Sequence, residues 1–249
     1  MRTYAIGDIH GQLDKLAEAH RWISDDRAQS GDASAPVVHV GDLVDRGPDS
    51  RGVIEFLANG QAGGAPWVTL MGNHDRMFLG FLGDPDHHDP GLRPNIHWVH
   101  RNLGGAETLA SYGVERAGER LLFELHDEAV RQVPASHVAF LTGLPYSYRR
   151  GDLFFAHAGI RPGISLERQT EDDLVWIRRD FLDDPRDHGV LVVHGHTPVD
   201  QATHYGNRLN IDTGAGYGRA LTAVVIEGDE VWTLGPDGRT PVARAAGLV

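Results

Sequence analysis

Five short segments carry residue types that together can hold metal ions and a phosphate. They read Gly7-Asp8-Ile9-His10-Gly11, Gly41-Asp42-Leu43-Val44-Asp45-Arg46-Gly47, Gly72-Asn73-His74-Asp75, His157-Ala158-Gly159 and Gly195-His196-Thr197. Carboxylate, imidazole and amide oxygen make a mixed donor set that suits Mn, Fe or Zn better than Ca or Mg alone. Cys is absent. A structural zinc site built on thiolates is therefore excluded, and the cluster points to a catalytic centre with positions open to water and substrate. Two ions sharing a bridging carboxylate, roughly 3.5 to 4 Å apart, clamp both the attacking and the leaving oxygens of an in-line displacement. Phosphoester hydrolysis is the natural reaction of such a set.

Each segment follows an apolar run that reads as a buried strand: Ala5-Ile6, Val37 to Val40, Val68 to Leu70, Leu153 to Phe155 and Val190 to Val193. Turns at these strand ends bring the donors to one point. The flanking glycines suit both sharp turns and close approach of backbone to a phosphate. Between the strands, Leu13, Leu16, Ala17, His20 and Ile23 fall at helical spacing, as do Val53, Ile54 and Leu57. Both helices start just after a donor segment, so their N-termini are expected to face the anion site. Strands alternating with helices make a layered α/β domain, and after residue 200 shorter alternating runs read as an antiparallel β ending.

The ordered motifs resemble the signature of the calcineurin-like metallophosphoesterases, and the Gly-Asp-Leu-Val-Asp-Arg-Gly form resembles their phosphoprotein phosphatase branch. The resemblance spans residues 8 to 197 and implies a sandwich of two mixed β-sheets flanked by helices. It further implies that Asp8 and His10 bind a first metal, that Asp42 bridges, and that Asn73, His157 and His196 bind a second. Two divalent ions are expected, Mn first, with Fe, Zn or Mg as alternatives. His74 resembles the family's general acid and Asp45 the carboxylate that orients it. Arg46 and Arg178 resemble the phosphate clamps, since a guanidinium fork matches two phosphate oxygens. Arg179 is an alternative to Arg178.

Simpler roles account for other residues. Asp75 reads as structural, opening the following helix and holding a motif turn. Most of the fifteen His lie outside the motifs. His194 reads as a strand-end neighbour, because the second His of the wider family would fall where this chain has Pro198. Asp86-His87-His88-Asp89, between Pro85 and Pro90, reads as a solvated loop. Asp212-Thr213-Gly214 is similar to a family turn near the site and is assigned no catalytic role.

The rest bounds the protein. Its 249 residues, 41% hydrophobic and 23% charged, fit a single domain over 1–249 with an ordinary globular balance. Between about 76 and 147 the motifs stop. Helices are expected there at Leu103 to Tyr112 and Leu121 to Arg131, over the mouth of the site, with Met77, Phe78, Trp98 and Tyr112 read as packing residues. The tail from Pro241 to Val249 is expected to pack loosely. A formal charge of −12 argues against stable nucleic-acid binding. No apolar run approaches the roughly 20 residues of a membrane span. The first strand starts at Arg2 and leaves no room for a signal peptide, so a cytoplasmic location is expected.

Three function classes follow. The favoured one is a phosphatase acting on phosphoserine or phosphothreonine in proteins, or on a small phosphomonoester, by in-line attack of water activated at the ions. The alternative is a symmetrical diadenosine tetraphosphate hydrolase, which shares nearly the same motifs. A catalytically silent module would have lost ligands, and all six ligand positions are kept.

Overall fold

Valine, isoleucine and leucine are concentrated in short runs bounded by Gly, Asp and Pro, and these runs become the strands of two facing sheets. The computed structural model describes residues 1–245. The first sheet holds β1 (Arg2–Ile6), β2 (Val37–His39), β3 (Trp67–Thr69), β9 (Ala223–Glu227), β10 (Glu230–Gly235) and β11 (Gly238–Pro241), in the order β11-β10-β9-β1-β2-β3. Its β1, β2 and β3 run parallel, and β9 to β11 are antiparallel. The second sheet holds β4 (Ser147–Arg150), β5 (Leu153–Ala156), β6 (Leu191–His194), β7 (Thr203–His204) and β8 (Arg208–Asn210), in the order β4-β5-β6-β8-β7. Here β5, β6 and β8 are parallel.

Alternation along the strands sends successive side chains to opposite faces. Ala5, Val38, Val224 and Ile226 of the first sheet therefore meet Leu153, Phe155, Val193 and Leu209 of the second in one apolar layer. Tyr4, Ile6, Val37 and Val225 point the other way. They pack under α1 (Leu13–Ser30), α2 (Ser50–Ala62) and α3 (Asn73–Gly83), through Leu16, Ile23, Val53, Leu57 and Phe78. Phe154, Ala156 and Val192 do the same on the far side, under α7 (Glu171–Trp176) and α8 (Arg179–Leu182). The expected sandwich of two mixed sheets between helices is the architecture observed.

The middle segment supplies α4 (Gly105–Ser111), α5 (Leu122–Gln132) and α6 (Ala135–Thr142). The first two match the expected helices, and α6 is additional. Met77, Phe78, Trp98 and Tyr112 are buried, as packing residues should be. Asp86, His87 and His88 are exposed, as a solvated loop should be, but Asp89 departs from that reading. Asp89 is buried and accepts from Arg76, from Trp176 Nε1 at 2.8 Å and from the Gly91 N–H at 3.0 Å. The C-terminal tail also differs: Pro241 ends β11, and the Val242 and Ala245 N–H groups donate to Val231 O and His204 O, both at 2.8 Å. The remainder of that expected loose tail lies outside the described residues. No helix among them is long and apolar enough to cross a membrane.

Candidate dinuclear metal centre

Six parallel strands end on one edge of the sandwich, where open α/β sheets place their ligands. The loop after β1 carries Asp8 and His10, and that after β2 carries Asp42, Asp45 and Arg46. The chain leaving β3 enters α3 directly at Asn73 and His74. The loops after β5, β6 and β8 carry His157, His196 and Asp212. Among the helices, α3 opens at this edge with Asn73 and His74 as its first residues, and α8 follows directly on the cavity residue Arg178. By contrast α2 opens under Asp49, whose carboxylate accepts the Gly52 N–H at 2.7 Å, so that N-terminus is already capped.

The turns are tight enough to force unusual backbone. Among the described residues, seven non-glycine residues have positive φ, and five of them are His10, Asp42, Asp45, Arg46 and His196. Such conformations persist only where the surroundings over-determine them. Asp75 supplies part of that restraint, accepting the N–H groups of Gly72 and Leu43, both at 2.9 Å. Gly72 and Gly195 supply another part, since a Cβ at either would run into the carboxylate of Asp42 or of Asp8.

Asp42 sits at the centre. His10, Asp42 and His74 form one group able to converge on an ion, and Asp42, His157 and His196 form another, each with its ligand atoms within 4.8 Å of one another. The imidazole protons are directed away. His10 Nδ1 donates to Val44 O at 2.8 Å and His157 Nδ1 to Val40 O at 3.0 Å, which leaves each Nε2 lone pair facing inward. His157 Nε2 then stands 2.9 Å from Asn73 Oδ1, 3.2 Å from His196 Nδ1 and 3.3 Å from Asp42 Oδ1. Buried lone pairs gathered this closely call for a cation between them. Asp8 Oδ2 accepts the His196 N–H at 3.0 Å, while Asp8 Oδ1 and His196 Nε2 are buried with no hydrogen-bond partner among the described residues.

The charge state agrees with that demand. Burial pushes Asp8 well above the usual carboxylate range, with Asp212 and Asp42 adding repulsion. Burial would raise Asp42 too, but His157, His74, His10 and His196 outweigh it and hold Asp42 low. Burial likewise lowers His10, His157 and His196. A metal ligand must offer a lone pair, so neutral imidazoles and crowded carboxylates are the form that fits divalent ions.

His74 is held differently from the other imidazoles. Its Nδ1 donates to Asp45 Oδ2 at 2.6 Å, and its Nε2 accepts from Arg46 Nη2 at 2.9 Å. Arg46 also reaches His10 Nε2, and its guanidinium lies 4.7 Å from the centre of the exposed Tyr217 ring. Arg178 donates to Thr197 Oγ1 at 3.3 Å. Asp42, Arg46, Asn73, His74, Arg178 and His196 all border one cavity of about 430 Å³, walled by Leu92, Ile96, Trp176 and Tyr217. Arg179, the alternative clamp, is the first residue of α8 and is not among the cavity residues. A larger apolar hollow of about 720 Å³, lined by Leu79, Val133 and Val138, contains none of these donors.

The sequence pattern of the calcineurin-like phosphoesterases matches residues 1–226. The chain belongs to that family. The phosphoesterase is 30% identical over 246 residues to the asymmetrical bis(5'-nucleosyl)-tetraphosphatase PrpE of Geobacillus thermodenitrificans, covering 90% of each chain. It is 27% identical to serine/threonine-protein phosphatase 1 of Salmonella typhimurium, over 90% of this chain and 92% of that one. Its fold matches that of a cold-active protein-tyrosine phosphatase from a psychrophilic Shewanella, with a TM-score of 0.65 at 17% identity, over 97% and 80% of the two chains. The resemblance read from the motifs is borne out, and the protein is a phosphoester hydrolase of a metal-dependent family.

Three residues of this site are given no role in it by the sequence reading: Asp212 is placed in a turn near the site, Trp98 is read as packing, and Thr108 is not marked. Asp212 is buried, borders the cavity and is pushed up to about 6, first by burial and then by Asp42. Its position after β8 repeats the pattern of the other donor loops, which is a signal the sequence carried. Trp98 and Thr108 contact Asp45 from the middle segment, where no motif marks them.

Proposed function

We propose that the phosphoesterase hydrolyses phosphomonoesters with alkoxide leaving groups, phosphoserine or phosphothreonine in proteins foremost. Asp8, His10 and Asp42 would hold one ion, and Asn73, His157 and His196 the other, with Asp42 shared; Mn²⁺ is the proposed metal. Bound there, two divalent ions supply polarisation of the phosphoryl oxygens and acidification of a water. The chain's own groups do the rest. Arg46 and Arg178 border the cavity from different loops and orient the phosphoryl oxygens. With Arg46 turned from His74 Nε2 to the phosphoryl group and that nitrogen protonated, the imidazolium would give its Nε2 proton to the departing oxygen and be left neutral, its Nδ1–H still on Asp45. The buried walls around Asp42 and His157 keep bulk water from competing for these donors.

The observation that carries the reading is the buried His74–Asp45 pair facing the cavity. An alkoxide is a poor leaving group and needs a positioned acid, whereas a phosphate anhydride departs without one. The second reading, hydrolysis of a dinucleoside tetraphosphate, is favoured by the relatives named for that activity. Those relatives are named asymmetrical, where the sequence reading had taken symmetrical hydrolases as the alternative. Metal-stripped enzyme reloaded with Mn²⁺, Mg²⁺ or Zn²⁺ and assayed on phosphopeptides, small phosphomonoesters and diadenosine tetraphosphate separates the two. Higher kcat/KM on phosphopeptides supports the first. A kcat/KM for the dinucleotide far above that of every phosphopeptide overturns it.

A further inference from the structure

Asp45 is wholly buried, and the three groups that donate to its carboxylate come from three different places in the chain. His74 Nδ1 and Trp98 Nε1 share Oδ2, at 2.6 and 2.9 Å. Thr108 Oγ1 donates to Oδ1 at 2.7 Å. Thr108 has a single hydroxyl proton, and that bond uses it. Its oxygen is then left to accept the Asp45 N–H at 2.8 Å and the hydroxyl proton of Ser50 at 3.0 Å. The Asp45 N–H is shared with Ser50 Oγ at 3.1 Å, but each of the three side-chain protons on the carboxylate has one destination there, and together they fix its plane with Oδ2 toward the imidazole.

The same segment also braces the strained turn. The Arg46 N–H donates to Gly104 O at 3.2 Å, where Gly104 has a φ of +91° and a Cβ would strike the Arg46 backbone. Residues 98 to 108 thus hold both Asp45 and Arg46, each at positive φ. Trp98 stacks on Phe78 at 5.1 Å between ring centres. Packing against Phe78 and Phe81 uses the faces of the indole and does not account for an N–H aimed at the very oxygen that holds His74.

We propose that Trp98 and Thr108 are positioning residues of the leaving-group acid, acting through Asp45 to fix the direction in which His74 presents its proton. The middle segment then completes the acid as well as covering the site. This inference rests on the assignment of His74 as the acid, and its test separates the two. Trp98→Phe keeps the ring and removes the donor. Thr108→Val keeps the shape and removes the hydroxyl, and Thr108→Ser restores it.

Each is assayed as Mn²⁺-loaded enzyme on an alkyl phosphate and on p-nitrophenyl phosphate, with His74→Asn alongside. The expected result is a loss of about tenfold in kcat on the alkyl ester for Trp98→Phe and Thr108→Val, with a loss below about twofold on the aryl ester. KM and metal content stay unchanged, and Thr108→Ser recovers the alkyl activity. Equal losses on both esters, or no loss, in variants where His74→Asn does discriminate would overturn the positioning role. If His74→Asn itself failed to discriminate, the acid assignment would fall and this inference with it. Should Trp98→Phe not fold, the Thr108 pair decides alone.

Discussion

Replacing Asp45 by Asn tests the leaving-group acid with little change of shape. Asn tolerates the left-handed backbone that Asp45 adopts, φ +75°, so the turn is expected to survive. The amide offers one oxygen where the carboxylate offered two, and three donors converge on them. If the amide nitrogen took the Oδ2 place, His74 and Trp98 would both face a donor. The favoured orientation therefore puts nitrogen at Oδ1, and Thr108 turns its proton toward Ser50. His74 keeps a partner, but a neutral one, and charge-assisted bonds are roughly twice as strong as neutral ones. Exchanging a bond to a charged partner, about 1.5 to 3 kcal/mol, for a neutral one, about 0.5 to 1.5 kcal/mol, costs about 1 to 1.5 kcal/mol, which is roughly 5- to 13-fold in rate if it is lost at the transition state. The variant should lose about that factor in kcat on alkyl phosphates and far less on nitrophenyl phosphates, so a plot of log kcat against leaving-group pKa steepens. Metal content should equal that of the wild type. A uniform fall across the leaving-group series, with the slope unchanged, would refute the reasoning.

The other expectations concern metal, phosphate and stability. Asp42→Asn should empty both metal positions, because both convergent groups include Asp42, whereas Asn73→Ala should lower only one; metal analysis after dialysis distinguishes them. Arg46→Lys should weaken inhibition by free phosphate despite keeping its charge, since an ammonium lacks the two-pronged donor set, and Arg178→Lys should do so less, its side chain being exposed. Away from the centre, His20 Nε2 lies 3.0 Å from His39 Nε2 against Trp67, and burial lowers His20 to about 4 and His39 further. The folded state keeps these rings neutral while the unfolded chain protonates near pH 6.5. Their contribution is therefore full above that pH and is lost as pH falls toward 4, at about 1.4 kcal/mol per pH unit for each proton. Urea unfolding of wild type and His20→Leu across this range should show a shallower slope in the variant, and parallel slopes would count against it.

What was legible in the sequence is what short segments encode by themselves. A strand followed by Gly-Asp-x-His states both the element and the donor: His10, His157 and His196 converge on Asp42, with Asn73 against His157 and Asp8 against the His196 N–H. Asp49 and α6 were missed because capping and short-helix propensities compete with many equally good local alternatives. Trp98, Thr108 and Asp89 were illegible for a deeper reason. Each acts on a partner 53, 63 and 87 residues away along the chain, so its role exists only once the middle segment has docked. The backbone strain belongs to the same class. Five donors or their neighbours sit at positive φ, a conformation costing on the order of 1 to 3 kcal/mol for a non-glycine residue, and nothing in local propensity favours it. The cost is borne because Asp75, Gly104 and Thr108 grip the turns from other elements. The motif residues name the reaction, and residues without a motif hold them in the geometry that performs it.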